Sequence, residues 1–143
     1  MEIPDYFSFG AVVAALLTLI WQVYISNEQS MISTFLNYTQ RYQDIKKHLP
    51  LFVESKTFIL EEHNEKEEIL RWIGAYYDMC SEEFFLNESG LVSRKVWNLW
   101  NKSIRRTVIK PAFRAAWKDH KLEENYDSPE FKNYINIIQK AQE

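Results

Sequence analysis

The sequence has 143 residues, a formal net charge of −3 at pH 7 and one cysteine, Cys80. One cysteine excludes an intrachain disulfide and a metal cluster built from the thiolates of one chain, which agrees with a reducing compartment. The length allows a membrane anchor and one small domain with a modest core, and it is too short for two soluble domains besides.

The N-terminal part contains an uncharged segment long enough to cross a membrane. No charged residue occurs between Asp5 and Glu28, and at about 1.5 Å per helical residue this stretch covers a hydrocarbon core of roughly 30 Å. We therefore predict a short tail and a transmembrane helix over residues 1–27. The side chains predicted to lie in the span and its interfacial aromatic belts are Tyr6, Phe7, Leu16, Leu17, Ile20, Trp21 and Tyr24.

The charges on the two flanks indicate the type of anchor and its orientation. The tail carries Glu2 and Asp5 and no basic residue, whereas a signal peptide begins with a basic region. An uncleaved anchor is therefore favoured over a cleaved signal and over a buried helix. Positive charge follows the span at Arg41, Lys46 and Lys47, and the positive-inside rule then predicts that the soluble domain is cytoplasmic.

Apolar side chains recur at steps of three and four residues after the span. No Pro or Gly interrupts the chain from Ala11 to Leu49, so we predict that the membrane helix continues into a stalk over residues 28–49 and ends at Pro50. The stripe packs either against the chain's own later helices, which we favour, or in a homomeric coiled coil, for which the heptads are few. Its members are Met31, Phe35, Tyr38, Tyr42, Ile45 and Leu49.

Residues 51–143 are predicted to form a small helical bundle. The stretch 51–60 is apolar without a clear period, and it is compatible with a short helix and with a packed connector. Asn64 has the chemistry of an N-cap for the next helix, and Gly90 suits the C-terminal end of that helix. The predicted apolar face between them consists of Ile69, Trp72, Ile73, Tyr76, Cys80 and Phe84.

Three further helices complete the predicted bundle. One begins at Ser93 and reaches about Lys110, where Pro111 breaks it. Its predicted apolar arc consists of Val96, Trp97, Leu99, Trp100, Ile104 and Val108. A shorter helix follows, and the last begins at Ser128, ahead of a proline in the first helical position.

No four consecutive residues alternate as a strand would, and the chain has only three glycines for hairpin turns. The sequence therefore predicts an all-α fold. In this fold the N-terminal transmembrane helix continues into a stalk helix, which packs with a small cytoplasmic helical bundle.

Charge is distributed unevenly along the bundle. Residues 50–90 hold ten acids against three bases, whereas residues 91–121 hold nine bases against Asp119 alone. The simpler interpretation is that neighbouring helices have solvated, partly complementary outer faces. The functional alternative is a basic patch for anionic lipid head groups, a phosphate-bearing ligand or nucleic acid, the last disfavoured by the negative net charge. This predicted basic patch consists of Arg94, Lys95, Lys102, Arg105, Arg106, Lys110, Arg114 and Lys118.

The sequence contains no motif for catalysis or cofactor binding that we recognise. Phosphate-binding loops, dinucleotide-binding glycine motifs, nucleophile elbows and zinc-protease motifs are all missing. His63 with Glu67 and His120 with Glu124 have an i, i+4 spacing suited to a metal, but chance often produces such pairs in a Glu-rich helical protein. Cys80 lies on an apolar helical face, which indicates a core residue rather than a nucleophile. We therefore predict no enzyme activity, cofactor or metal site.

Aromatic residues form the most distinctive motif of the bundle. They occur in the order Glu82-Glu83-Phe84-Phe85, Val96-Trp97-x-x-Trp100, Pro111-x-Phe113-x-x-x-Trp117, Tyr126 and Phe131. Large rings at helical spacing are usually buried between helices, and the alternative is a partner-facing hot spot. The residues to which these alternatives apply are Trp72, Trp97, Trp100, Phe113 and Trp117.

This aromatic succession, over roughly residues 30–140, resembles a family of small, uncharacterised bacterial single-pass membrane proteins with a helical cytoplasmic domain of unknown function. The resemblance implies a location in the plasma (inner) membrane and supplies no catalytic residues, and some members of the family are associated with phage defence. The expected function is that of a membrane-anchored interaction or scaffold module that contacts membrane lipid and binds itself or another protein. The alternative is a membrane-perturbing effector that oligomerises through its span.

Overall fold

The computed structural model describes residues 6–141, with side chains from Gly10 onwards. The predicted tail over residues 1–5 and the side chains of Tyr6 and Phe7 lie outside this description. Five α-helices occur in the described range, and no strand does, so the all-α prediction is confirmed. The helices are α1 (Tyr6–His48), α2 (Lys66–Glu88), α3 (Arg94–Val108), α4 (Pro111–Lys118) and α5 (Pro129–Lys140).

The chain divides into two compact units, the first ending at Asn37 and the second beginning at Tyr38. In the first unit, every described side chain from Gly10 to Ser30 is exposed. α1 continues past Asn27 without a break, as predicted. Among the described residues, it is the one helix whose length and composition are sufficient to cross a membrane.

The second unit packs around a hydrophobic core to which every described α-helix of the unit contributes. Ile45, near the end of α1, and Leu49, directly after it, are buried in this core. The predicted stalk stripe therefore packs against the chain's own helices from Tyr38 onwards, where the Tyr38 ring lies 5.1 Å from that of Trp100. The largest fully buried side chains are Trp117, Tyr76, Tyr77, Phe113, Phe131 and Ile69.

The connector between α1 and α2 forms two short 3-10 helices, Leu51–Glu54 and Leu60–Glu62. The predicted N-cap, Asn64, is wrong by one residue, because Glu65 occupies the N-cap position of α2, where its side chain makes no capping hydrogen bond. The backbone amide of Glu65 donates to His63 Nδ1 at 3.2 Å, so a side chain upstream of Asn64 shapes this entry.

The C-terminal end of α2 has the hydrogen bonds of a Schellman motif, as Gly90 predicts. Gly90 has a φ of 68° and donates its amide to Asn87, while the amide of Leu91 donates to Leu86. A left-handed residue at this position reverses the chain direction, and α3 then begins at Arg94.

The starts of α3 and α5 follow the capping chemistry of the sequence. Ser93 Oγ accepts a hydrogen bond from the amide of Val96 at 3.3 Å, and Ser128 Oγ accepts one from the amide of Phe131 at 3.1 Å. α3 ends at Val108, slightly before the predicted end. α4 begins directly at Pro111, whose fixed φ suits the first helical position.

Candidate functional site

The first candidate surface is the outer face of α3. Five of the predicted patch residues lie there and are exposed: Arg94, Lys95, Lys102, Arg105 and Arg106. Among the described residues, no salt bridge engages Lys95, Lys102 or Arg106. These three share one side of the helix, because Lys102 lies seven residues after Lys95 and Arg106 lies four residues after Lys102.

The remaining residues of the predicted basic patch, Lys110, Arg114 and Lys118, do not add unpaired charge to this surface. Lys110 donates to Glu54 Oε2 at 2.6 Å, and the other oxygen of Glu54 pairs with Lys46. Burial lowers the pKa of the Lys110 ammonium. Lys118 pairs with Glu123 at 3.2 Å, while Arg114, on the same helix, is half-buried and has interactions of its own. Of the predicted basic patch, the exposed residues that no salt bridge with a described residue engages all lie on α3.

Leu99 is exposed beside these basic residues, so its assignment to the apolar arc of the helix, opposite the basic residues, is wrong. Its side chain is 53% exposed and lies one turn from both Lys95 and Lys102. The physical reason is that α3 packs into the bundle through Trp100 and Ile104, which lie about 100° or more around the helix from Leu99. We call Lys95, Leu99, Lys102 and Arg106 together the basic face.

The second candidate surface is a groove between the end of α2 and the start of α5, with a volume of about 520 Å³. The rings of Phe84, Tyr126 and Phe131 line its floor. The centroid of the Phe131 ring lies 5.7 Å from that of Phe84 and 5.2 Å from that of Tyr126. Phe85 adds a ring that is 64% exposed. The carboxylates at the rim are those of Glu88, Asp127 and Glu130. We call these seven residues the acidic groove.

Hydrogen bonds keep the groove in shape. The Tyr126 hydroxyl donates to Asp78 Oδ1 at 2.8 Å, and burial, followed by this bond, raises the pKa of Tyr126. The Ser128 hydroxyl donates to Glu130 Oε2 at 3.1 Å at the start of α5. The groove therefore combines an apolar aromatic floor with fixed negative charge at its edge. Such a surface suits a cation carried on an aliphatic stem.

The five aromatic residues singled out in the sequence do not form an exposed cluster. Trp100, Phe113 and Trp117 are buried core residues. Trp72 is half-buried, with its ring stacked 3.9 Å from that of His48. Trp97 is also half-buried and lies against Phe84 and Tyr134, as given by centroid distances of 6.3 and 5.9 Å. These rings pack within the bundle and do not form one exposed surface.

Sequence reasoning missed a buried carboxyl group. Glu83 is only 4% exposed, although its neighbour Glu82 is on the surface. Burial raises the pKa of Glu83 to about 8, against the opposing attraction of Arg41, so the group is mainly neutral at pH 7. A signal existed in the sequence, because Glu83 lies seven residues after Tyr76 and three after Cys80, on the same buried helical face.

The residues considered for catalysis or metal binding are placed elsewhere. Cys80 is fully buried, and burial raises the pKa of its thiol, which keeps it protonated. His120 Nε2 lies 2.5 Å from Glu61 Oε1 in the connector, and His63 Nδ1 accepts the amide of Glu65. Across the part of the chain that the structure describes, no three His, Cys, Asp or Glu side chains are grouped to hold a metal ion.

Comparison of the chain with protein-family models, with curated proteins and with solved structures finds no match. The fold and its surfaces define the class: an all-α protein that has one helix able by length and composition to cross a membrane.

Proposed function

We propose that the chain is a single-pass protein of a bacterial plasma membrane, with a cytoplasmic helical domain that binds protein. The observation that carries the proposal is the exposure of the apolar part of α1. The large apolar side chains from Val12 to Ile25 are each 38–66% exposed. Exposed apolar area costs about 25 cal/mol per Å² in water, and lipid removes this cost without any protein partner.

The bundle supports a binding function through its surfaces. The basic face and the acidic groove are accessible, opposite in charge and each supplied with an exposed apolar side chain, Leu99 in the first and Phe85 in the second. An apolar centre with a charged rim is the arrangement of a protein-binding surface. The resemblance to small bacterial membrane proteins with helical domains supports the same proposal.

Membrane insertion is tested by placing charge at the centre of the span. Each Arg near the middle of a transmembrane helix costs about 2.5–3.5 kcal/mol, so Leu16→Arg/Ile20→Arg is expected to move the protein out of the carbonate-resistant membrane fraction. Leu16→Phe/Ile20→Leu is the matched apolar control and should stay in the membrane. Extraction of the wild-type chain by alkaline carbonate would refute the anchor.

Orientation is tested with reporters fused after Glu143. A fluorescent protein that folds in the cytoplasm is expected to be active, and a phosphatase that requires the periplasm is expected to be inactive. The opposite pair of results would place the domain outside, against the weak positive-inside bias of Arg41 and Lys46.

A second candidate function is a membrane-perturbing effector, favoured by exposed apolar residues beyond the uncharged segment. Ile32 and Leu36 are exposed and share a helical side with Ile25, from which they are seven and eleven residues away. Self-association of α1 along this side would permeabilise the bilayer. An effector would depolarise cells on expression, and Ile32→Ser/Leu36→Ser would abolish the effect. An adaptor would leave the membrane potential unchanged.

A further inference from the structure

We infer that copies of this chain bind one another through their bundles, with the basic face of one copy docked in the acidic groove of the next. The inference rests on the proposed function, because anchoring in one membrane places all bundles on the same side and raises their local concentration. The partner is therefore a second copy of this chain.

The acidic groove has the chemistry to bind a lysine or arginine together with a small aliphatic side chain. Its exposed ring, Phe85, and the half-buried rings of Phe84 and Tyr126 offer aromatic surface to a cation and apolar contact to the stem that carries it. Glu88 and Asp127 lie at the rim and are exposed, so they can pair with an incoming cation without a large desolvation cost. The volume of about 520 Å³ is sufficient for several side chains of one helical face.

The basic face presents the complementary pattern on the same chain. Leu99 lies within about 60° of Lys95, Lys102 and Arg106 around the helix, and it is exposed together with them. No salt bridge with a described residue engages these three cations. The helix therefore offers one apolar side chain beside three cations. The groove offers aromatic carbon within a ring of carboxylates.

A second copy of the chain is complementary to both surfaces, whereas anionic lipid is complementary only to the basic face. Lipid head groups would attract the basic face but repel Glu88 and Asp127, and they would leave the Phe85 ring in water. Pairing of groove and face covers the exposed Phe85 and Leu99 side chains in one step. Opposite charges at the two rims also fix which surface meets which.

Charge reversal of each surface, followed by mixing, tests the inference. The groove variant is Glu88→Lys/Asp127→Lys, and the face variant is Lys95→Glu/Arg106→Glu. Full-length chains are labelled with donor and acceptor dyes in neutral lipid vesicles, and association is followed by energy transfer. Each variant alone is expected to lose association at least tenfold, because its two surfaces then carry like charge. A mixture of the two variants is expected to regain it, because each surface again meets its opposite.

The controls separate docking from net charge, folding and anchoring. Lys56→Glu/Lys140→Glu makes the same change in net charge as the face variant at exposed sites outside both surfaces, and should associate like the wild type. Added salt should weaken the wild-type complex, because its charged rims are exposed. Circular dichroism should show unchanged helix content in every variant. All variants should stay carbonate-resistant, and loss of the wild-type chain from the membrane would contradict the proposed function and not the docking mode.

Several results would overturn the inference. If association survives both charge reversals and high salt, the copies associate through α1 and not through the groove and the face. A wild-type chain that is monomeric at low salt would refute it, as would a mixture of variants that fails to associate. Loss of binding to anionic vesicles in the face variant, with association in neutral vesicles unchanged, would assign the basic face to lipid.

Discussion

Arg41 Nη1 donates to Glu82 Oε2 at 2.6 Å, and the Tyr38 hydroxyl donates to the same oxygen at 3.0 Å. Both donors lie near the end of α1, and the acceptor lies on α2. Burial opposes ionisation of the carboxyl group, but the hydrogen bonds from Arg41 and Tyr38 lower the pKa of Glu82. This one carboxylate therefore links α1 to the bundle at the boundary where the second unit begins.

We predict a small coupling energy between Arg41 and Glu82. The two side chains are 42% and 47% exposed, so solvent screens the pair and its contribution should be about 0.5–1 kcal/mol. A double-mutant cycle of Arg41→Ala and Glu82→Ala, measured by denaturant unfolding of the full-length chain in micelles, gives this energy. The more exposed pair Lys47 and Asp44 serves as a control with coupling near zero. A coupling energy above about 2 kcal/mol would contradict the prediction.

The buried Glu83 carboxyl should make the bundle less stable as pH rises. Its pKa is 4.5 in an ordinary setting and about 8 in the fold. Between these values the folded state binds more protons than the unfolded state, so the free energy of unfolding should fall with pH by up to about 1.4 kcal/mol per unit. Glu83→Gln should remove most of this slope between pH 5 and 8 and raise stability at pH 8.

The matched control for Glu83 is the adjacent Glu82→Gln. Because the pKa of Glu82 is lowered in the fold, its contribution to stability is present above its ordinary pKa and is lost as pH falls through the folded value. The slope between pH 5 and 8 should therefore persist in Glu82→Gln. Equal slopes in the wild type and Glu83→Gln would show that the Glu83 pKa is not raised.

Alanine substitutions at the two glycines of the bundle should change its stability in opposite directions. Gly90 has a φ of 68°, so Gly90→Ala should destabilise the bundle by about 1 kcal/mol. Gly74 lies inside α2, where an added Cβ meets no atom within 4 Å, and Gly74→Ala should stabilise by about 0.5–1 kcal/mol. Thermal unfolding of the two variants beside the wild type checks both signs. A shift in the same direction for both would contradict the assigned backbone conformations.

Local chemistry made the helix boundaries readable from the sequence. Ser93 and Ser128 carry capping hydroxyls, and Pro111 and Gly90 have backbone preferences that act within one turn. The composition of α1 likewise identified its apolar segment, since a membrane span depends on a continuous run of residues. These features need no knowledge of which helices touch.

The surfaces depended on tertiary packing and were harder to predict. Leu99 lies at the edge of a broad apolar arc, and only the positions of the neighbouring helices decide that Trp100 is covered and Leu99 is not. Glu83 has a charged side chain, which predicts exposure, but it occupies a core position of its helix. The side chain is buried, so the helical position decided its exposure. The acidic groove joins Phe85 to Asp127, which are far apart in sequence, so neither stretch alone indicates it.

The most destabilising single change that we predict is at Trp117. Its ring is fully buried, lies 4.7 Å from that of Tyr77, and its indole Nε1 donates to Asn136 Oδ1 at 3.0 Å. Trp117→Ala removes the largest buried side chain of the core and should cost about 3–5 kcal/mol, because the surrounding rings cannot fill the cavity. Circular dichroism during denaturant unfolding measures this cost without relying on tryptophan fluorescence.

Two milder variants separate the packing contribution of Trp117 to stability from its hydrogen-bond contribution. Asn136→Ala leaves the indole donor without its partner at a half-buried site and should cost about 1 kcal/mol. Trp117→Phe keeps an aromatic ring against Tyr77 and should fall between the other two, because it loses the bond and only part of the buried area. Equal losses in Trp117→Ala and Asn136→Ala would mean that the ring contributes little by packing. That result is incompatible with the fully buried position of the Trp117 ring.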